Sequence, residues 1–267
     1  MKDIRIAAVI FHSESYEPSR NIESMEKWVR SAKETGVEII CFPELNVTGY
    51  GTDGRIAVVS ERIPGEITGK LAGISSDYSI TILAGMAEID RAGRIYASHL
   101  VIKPGGYTGV YRKLHIAPFE TGMFTPGNEV PLFEAEGIKF GIQLCYDAHF
   151  PELSTKMALM GADVIFIPHA SPRGTAAEKH RSWMRHLTAR AFDNGLFVVA
   201  CNQCGENSAG LQFPGTGMVI SPLGEVIEKN TSGKEGMIIA DLRAEDLEKV
   251  RNNKMSYFLP NRRPEVY

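Results

Sequence analysis

Three consecutive segments at the start of the chain leave few folds open. Ile4 to Phe11 is a short apolar run that reads as a buried strand. Ile22, Met25, Val29 and Ala32 then recur at spacings of three and four, which is one face of a helix, and Gly36 supplies its stop. Val37 to Phe42 is a second apolar run and ends at Pro43-Glu44. Strand, helix, strand in this order places the chain in the α/β class.

The same grammar continues downstream. A second helix is expected over Ile67 to Ser76. Two β runs follow, Ile80 to Ile89 and Ile95 to Ile102, joined by the turn residues Asp90-Arg91-Ala92-Gly93 as a hairpin. After a polar stretch rich in Gly and Pro, Ile138 to Leu144 is another buried strand, ending at Cys145. A helix over about Pro151 to Met160 leads to the strand Val164 to Ile167. A long helical segment, about Ala176 to Asn194, leads to Leu196 to Ala200. Gly217 to Ile220, Glu225 to Ile227 and Met237 to Ala240 are the last strands. No repeat, low-complexity tract or linker interrupts the pattern. The expectation is one domain over residues 1–267: a mixed sheet or two sheets, with helices outside.

Composition narrows the function classes. Of the 267 residues, 43% are hydrophobic, enough for a sizeable core. The 29 basic and 32 acidic residues leave a net charge of -3 with no block of one sign, so nothing points to nucleic acid or an anionic membrane. A small-molecule partner fits this balance. The N-terminus lacks the pattern of a signal peptide, and no apolar stretch approaches the roughly 18 residues of a membrane span. Four cysteines in a chain of this length do not make a disulfide framework. The expected location is the cytoplasm, with reduced thiols.

Cys145 stands where a buried strand runs into a turn and a helix. Open α/β proteins place their sites at that edge, and a helix start favours a thiolate and offers backbone N–H groups to an oxyanion. Buried cysteines are nonetheless common inert residues. Glu44 also closes an apolar run, a placement that suits a desolvated base, although a carboxylate at a loop start is commonly a surface group. Lys113, in Tyr111-Arg112-Lys113-Leu114-His115, would stabilise a developing negative charge if it faced the same site; alone it reads as a solvated cation.

Taken together, these segments resemble the nitrilase superfamily of carbon–nitrogen hydrolases. Phe42-Pro43-Glu44 resembles the family's general-base segment. Tyr111 to His115, followed by Phe119-Glu120 and Phe124-Thr125-Pro126-Gly127, resembles its lysine segment. Gly141 to Leu153 resembles its nucleophile elbow, and Asn261-Arg262-Arg263-Pro264 is also similar. The resemblance implies a four-layer α-β-β-α sandwich, no metal and no organic cofactor. It implies a homodimer or higher homo-oligomer, with the tail from about residue 250 to 267 in the interface. It assigns Glu44 as base, Cys145 as nucleophile, Lys113 and the Tyr146 backbone N–H as oxyanion donors, and Glu120 as a supporting carboxylate. Many relatives carry Arg where this chain has His149, which touches either the substrate pocket or local packing.

The implied reaction is hydrolysis of a small amide or N-carbamoyl amine through a cysteine thioester, releasing ammonia. Nitrile hydrolysis and a non-catalytic binding or scaffold protein on the same fold are the alternatives. His169 follows a strand end and reads as pocket-facing. Arg173, in the loop after it, is a candidate for a substrate carboxylate, with a solvated Arg equally compatible. Cys201-Asn202-Gln203-Cys204 is a C-x-x-C without a second ligand pair, so a redox or zinc role is weakly supported. No Gly-x-Ser-x-Gly elbow, P-loop or G-x-G-x-x-G fingerprint is present. Phe11, Trp28 and Trp183 are too scattered for base stacking.

Overall fold

The alternation of apolar residues along the first strand already defines two cores. Ile4, Ile6 and Ala8 face one cluster, while Ala7, Val9 and Phe11 face another, so this strand is buried on both sides. The structure, a computed structural model, describes residues 1–266. Its first half holds β1 (Ile4–Ile10), α1 (Pro18–Glu34), β2 (Ile39–Cys41), α2 (Arg55–Val59), α3 (Glu66–Tyr78), β3 (Thr81–Ile89), β4 (Ile95–Lys103) and β5 (Gly106–Arg112). There follow β6 (Phe133–Ala135), β7 (Ile138–Ile142), α4 (Pro151–Leu159), β8 (Val164–His169), α5 (Ala176–Met184) and α6 (Leu187–Asn194). The chain continues through β9 (Phe197–Asn202), β10 (Cys204–Glu206), β11 (Gln212–Pro214), β12 (Gly217–Ile220), β13 (Val226–Asn230), β14 (Gly236–Leu242) and α7 (Ala244–Arg251).

The strands form two six-stranded sheets, in the orders β14-β1-β2-β3-β4-β5 and β13-β12-β9-β8-β7-β6, plus the hairpin β10-β11. Each large sheet has three parallel strands at its centre, β1 to β3 and β7 to β9, flanked by antiparallel ones. Apolar side chains of both sheets share one core between them. Helices α1 and α3 cover the outer face of the first sheet, and α4 and α6 that of the second, giving the four-layer α-β-β-α sandwich. Helix α1 buries Ile22, Met25, Val29 and Ala32 as its spacing requires, and Gly36 takes φ 78° just beyond it.

The Asp90–Gly93 turn forms as expected, with the Asp90 carboxylate accepting from the backbone N–H of Ala92 and Arg94. The long helical segment expected over Ala176 to Asn194 is divided into two helices, α5 and α6. Arg185 and His186 bond back three residues rather than four, and the His186 ring takes the Ser182 carbonyl at 3.1 Å. Trp183, Leu187, Ala191 and Asn194 are all buried, which is why the pattern reads as continuous. Strand β5 and helices α2 and α7 add elements where no periodic signal was read. Among the described residues, no helix is long and apolar enough to cross a membrane.

Candidate active site

Three loops bring the chemistry together beyond the carboxyl ends of β2, β5 and β7. Glu44 follows β2, with its backbone carbonyl held from the other sheet. The Gln203 amide beyond β9 donates to the Glu44 carbonyl at 2.8 Å. Leu45 sits at φ 55°, and Gly85 of β3 lies so close that a Cβ there would strike the Leu45 backbone nitrogen. Glycine at 85 therefore permits the turn that aims Glu44 inward.

Lys113 directly follows β5 and remains clamped, donating its N–H to the Ala97 carbonyl and accepting from Gly127. Its side chain is 1% exposed, and its Nζ lies 2.7 Å from Glu44 Oε1 and 2.8 Å from Glu120 Oε2. The other Glu44 oxygen accepts the Ala170 N–H at 3.0 Å. Glu120, in a short 3-10 turn, also accepts from the Ala117 N–H and from the Tyr50 hydroxyl. Two carboxylates thus share one buried ammonium. Burial pushes Glu44 up to about 7; Lys113 pulls it down and the Glu120 charge adds to the rise. Burial lowers Lys113, but Glu44 and Glu120 outweigh this and hold it above the ordinary lysine range.

Cys145 opens a 3-10 turn, Cys145–His149, at φ 44°, a left-handed conformation that costs a non-glycine residue about 1–2 kcal/mol. Asp147 holds this turn. Its Oδ2 accepts from the Leu144 N–H at 3.0 Å and the Tyr111 hydroxyl at 2.8 Å. Its Oδ1 accepts from the His115 N–H at 2.8 Å and lies 2.7 Å from His115 Nδ1. The helix start does not produce the low-pKa thiol expected of it. Burial, reinforced by the Glu44 charge, pushes the Cys145 thiol above its usual range, with Lys113 opposing. The resting pair is therefore a thiol beside a carboxylate that titrates near neutrality.

Cys145, Lys113 and Glu120 open onto one cleft of about 450 Å³, walled by Phe119, Tyr146, His149, Ser171 and Arg173 among others. This volume suits a small molecule. His149 is on the wall, its ring stacked on His186 at 4.4 Å. Arg173 is at the mouth, its guanidinium 5.7 Å from the Phe119 ring. His169 lies elsewhere, contrary to the expectation. Its side chain is buried, bonds to the Ile167 carbonyl at 2.8 Å and packs on Trp183. The residue after β8, Ala170, is the one that meets Glu44, through its backbone N–H. The C-x-x-C does not pair: all four cysteines are free, and the Cys201 thiol contacts the Cys41 carbonyl.

Asp147, Tyr50 and Gln203 were not singled out from sequence. A carboxylate two residues after Cys145 was a usable signal for Asp147. Tyr50 and Gln203 come from distant loops, and no local pattern marks them.

The profile of the carbon–nitrogen hydrolase family matches residues 5–252, and the chain belongs to that family. It is 32% identical to a nitrilase of Pyrococcus abyssi over 99% of both chains. It is 31% identical to a deaminated glutathione amidase of Escherichia coli O157:H7, over 87% of this chain and 88% of that one. A carbon–nitrogen hydrolase of Helicobacter pylori G27 superposes with a TM-score of 0.88 at 25% identity, covering 99% of this chain and 97% of that one. The NitN amidase of Neterenkonia sp. AN1 superposes at 0.85, also with 25% identity, over 98% of each. The chain is thus an enzyme, a hydrolase of carbon–nitrogen bonds built on the nitrilase-type sandwich.

Proposed function

We propose that this enzyme hydrolyses the amide or N-carbamoyl group of a small molecule through a thioester on Cys145. The carrying observation is that Lys113 and Cys145 line one cleft while the buried Glu44 is ion-paired to Lys113. Glu44, as carboxylate, takes the thiol proton while sulfur attacks the carbonyl carbon. Lys113 Nζ and the Tyr146 N–H hold the oxyanion. The protonated Glu44 returns its proton to the departing nitrogen, ammonia leaves and the thioester remains. Glu44 then deprotonates water, which attacks the thioester and releases the acid and the thiol. Glu120 keeps Lys113 charged and fixed. A high thiol pKa suits this scheme, because the proton moves only as the carbon–sulfur bond forms.

Arg173 reads as the partner of a substrate carboxylate, being at the cleft mouth with no carboxylate of its own within ion-pair distance among the described residues. His149 shapes the adjoining wall. A nitrile would use the same nucleophile, and the name of the Pyrococcus relative keeps that reading in the test. The protein is read as cytoplasmic, a single catalytic domain, and a homodimer. The tail from residue 250 packs beside α6, where exposed Phe192 and Phe258 touch, and this face suits a second copy of the chain. Tyr267 lies outside the described residues. Sedimentation of the intact protein tests the dimer.

The function is tested by ammonia release from amides, N-carbamoyl amino acids, N-carbamoyl amines and nitriles, with Cys145→Ala alongside. Release from one class, absent in the variant, is expected; accompanying carbon dioxide marks the carbamoyl case. Release that persists in Cys145→Ala contradicts the assignment.

A further inference from the structure

The cleft does not end at Arg173. A second cavity of about 490 Å³ adjoins it over α5, lined by Arg173, Gly174, Glu178, Lys179, Arg181, Ser182 and Arg185. Arg173 lines both. Four of these seven residues are cationic and one is acidic. The acidic one, Glu178, is engaged at the helix start, accepting from the Thr175 N–H at 2.9 Å and the Thr175 hydroxyl at 3.0 Å. None of the four cations has a carboxylate within ion-pair distance among the described residues.

Lys179 is the least expected of them. It is half-buried with no acid beside it, and its Nζ donates to the Ser171 hydroxyl at 2.6 Å. Ser171 lines the catalytic cleft, and its backbone is held at both N–H and carbonyl by the Asn202 amide. Lys179 therefore ties the second cavity to the first through one rigid residue. Burial and the neighbouring Arg173 charge disfavour its protonated form, so an anion beside it would relieve a cost already present in the fold. Two adjoining cavities, the first holding a thiol and the second four cations against one carboxylate, describe an elongated substrate with a neutral amide at one end and negative charge at the other.

We propose that the substrate is an extended amide bearing at least two carboxylates. One meets Arg173, and the more distant one lies over α5 against Lys179, Arg181 and Arg185. This rests on the catalytic reading above and adds the substrate class to it.

The test compares three primary amides: butyramide, succinamoyl-glycine and succinamoyl-aspartate, with none, one and two carboxylates. Each is assayed by ammonia release at low and at physiological salt. For the wild type, kcat/KM is expected to rise along the series, with succinamoyl-aspartate exceeding succinamoyl-glycine by about tenfold at low salt and by less at high salt. In the double variant Arg181→Ala, Arg185→Ala, the ratio of succinamoyl-aspartate to butyramide should fall about tenfold, at about threefold to fivefold per exposed charge. The pair Arg181→Lys, Arg185→Lys should restore most of that ratio, because the field rather than a fixed hydrogen bond carries it. A ratio that stays the same in the alanine variant, or a wild type indifferent to the second carboxylate while turning over butyramide, overturns the inference and leaves the catalytic reading intact. Failure to release ammonia from all three overturns this inference, and the wider panel of amides, N-carbamoyl compounds and nitriles then decides the catalytic reading separately.

Discussion

The two walls of the cleft treat charge in opposite ways. On one, Glu44, Lys113 and Glu120 are 0–2% exposed, and every contact is satisfied within the protein. On the other, Arg173, with Lys179 beyond it in the adjoining cavity, has no carboxylate within ion-pair distance among the described residues. A buried, paired network is arranged before substrate arrives, so its groups need no reorganisation as charge develops. Unpaired cations at the rim are free to be completed by a ligand. On the proposed function one wall does chemistry and the other selects, and mutations on the two should differ in kind.

The largest effect is expected at the nucleophile. Cys145→Ala should lower kcat by at least about 10⁴-fold while leaving the circular dichroism spectrum and melting temperature near those of the wild type. Lys113→Met should cost about 10²–10³ in kcat, as for loss of an oxyanion donor. It should also destabilise the protein by about 3–5 kcal/mol, because Glu44 and Glu120 are left buried together, and urea titration reads this. Asp147→Asn should cost about 1.5–3 kcal/mol and lower kcat more than it raises KM, since the turn holding Cys145 loses its charged acceptor.

On the selecting wall, Arg173→Ala should raise KM for carboxylated amides about tenfold with little change in kcat, matching the loss of one charge-assisted contact. An equal fall in kcat for neutral amides would erase the contrast between the walls. The pH profile sharpens it further. Glu44 must be ionised to accept the thiol proton, and its pKa is raised to about 7. Activity should therefore rise with pH through 7, with kcat/KM falling about tenfold per unit below it. A midpoint near the ordinary glutamate range would mean that the buried pair is more solvated than the geometry shows.

Much of the fold was legible because the central strands are apolar on both faces and the helices amphipathic on one. Glu44 and Cys145 were legible because each ends such a strand. The strand that delivers Lys113 was not, since Gly106 to Arg112 contains two glycines and a threonine and lies at a sheet edge with little burial. The break at His186 was hidden because the buried positions keep a helical period across it. His169 was misplaced because a strand-end position does not say which face the side chain takes. Asp147 accepts through space from the His115 N–H and the Tyr111 hydroxyl, at and beyond the end of a strand of the other sheet, which spacing alone does not encode.

The central claim is that Cys145 carries the acyl group and Glu44 moves the protons. Its most direct test is acid quench of the enzyme during turnover of an amide substrate, followed by mass spectrometry of the peptide containing Cys145, for wild type and Glu44→Gln. The account expects the substrate's acyl mass on Cys145, lost on thioester cleavage with hydroxylamine, and no steady release of ammonia from Glu44→Gln. Ammonia release with no adduct on Cys145, continuing in Cys145→Ala, would contradict it.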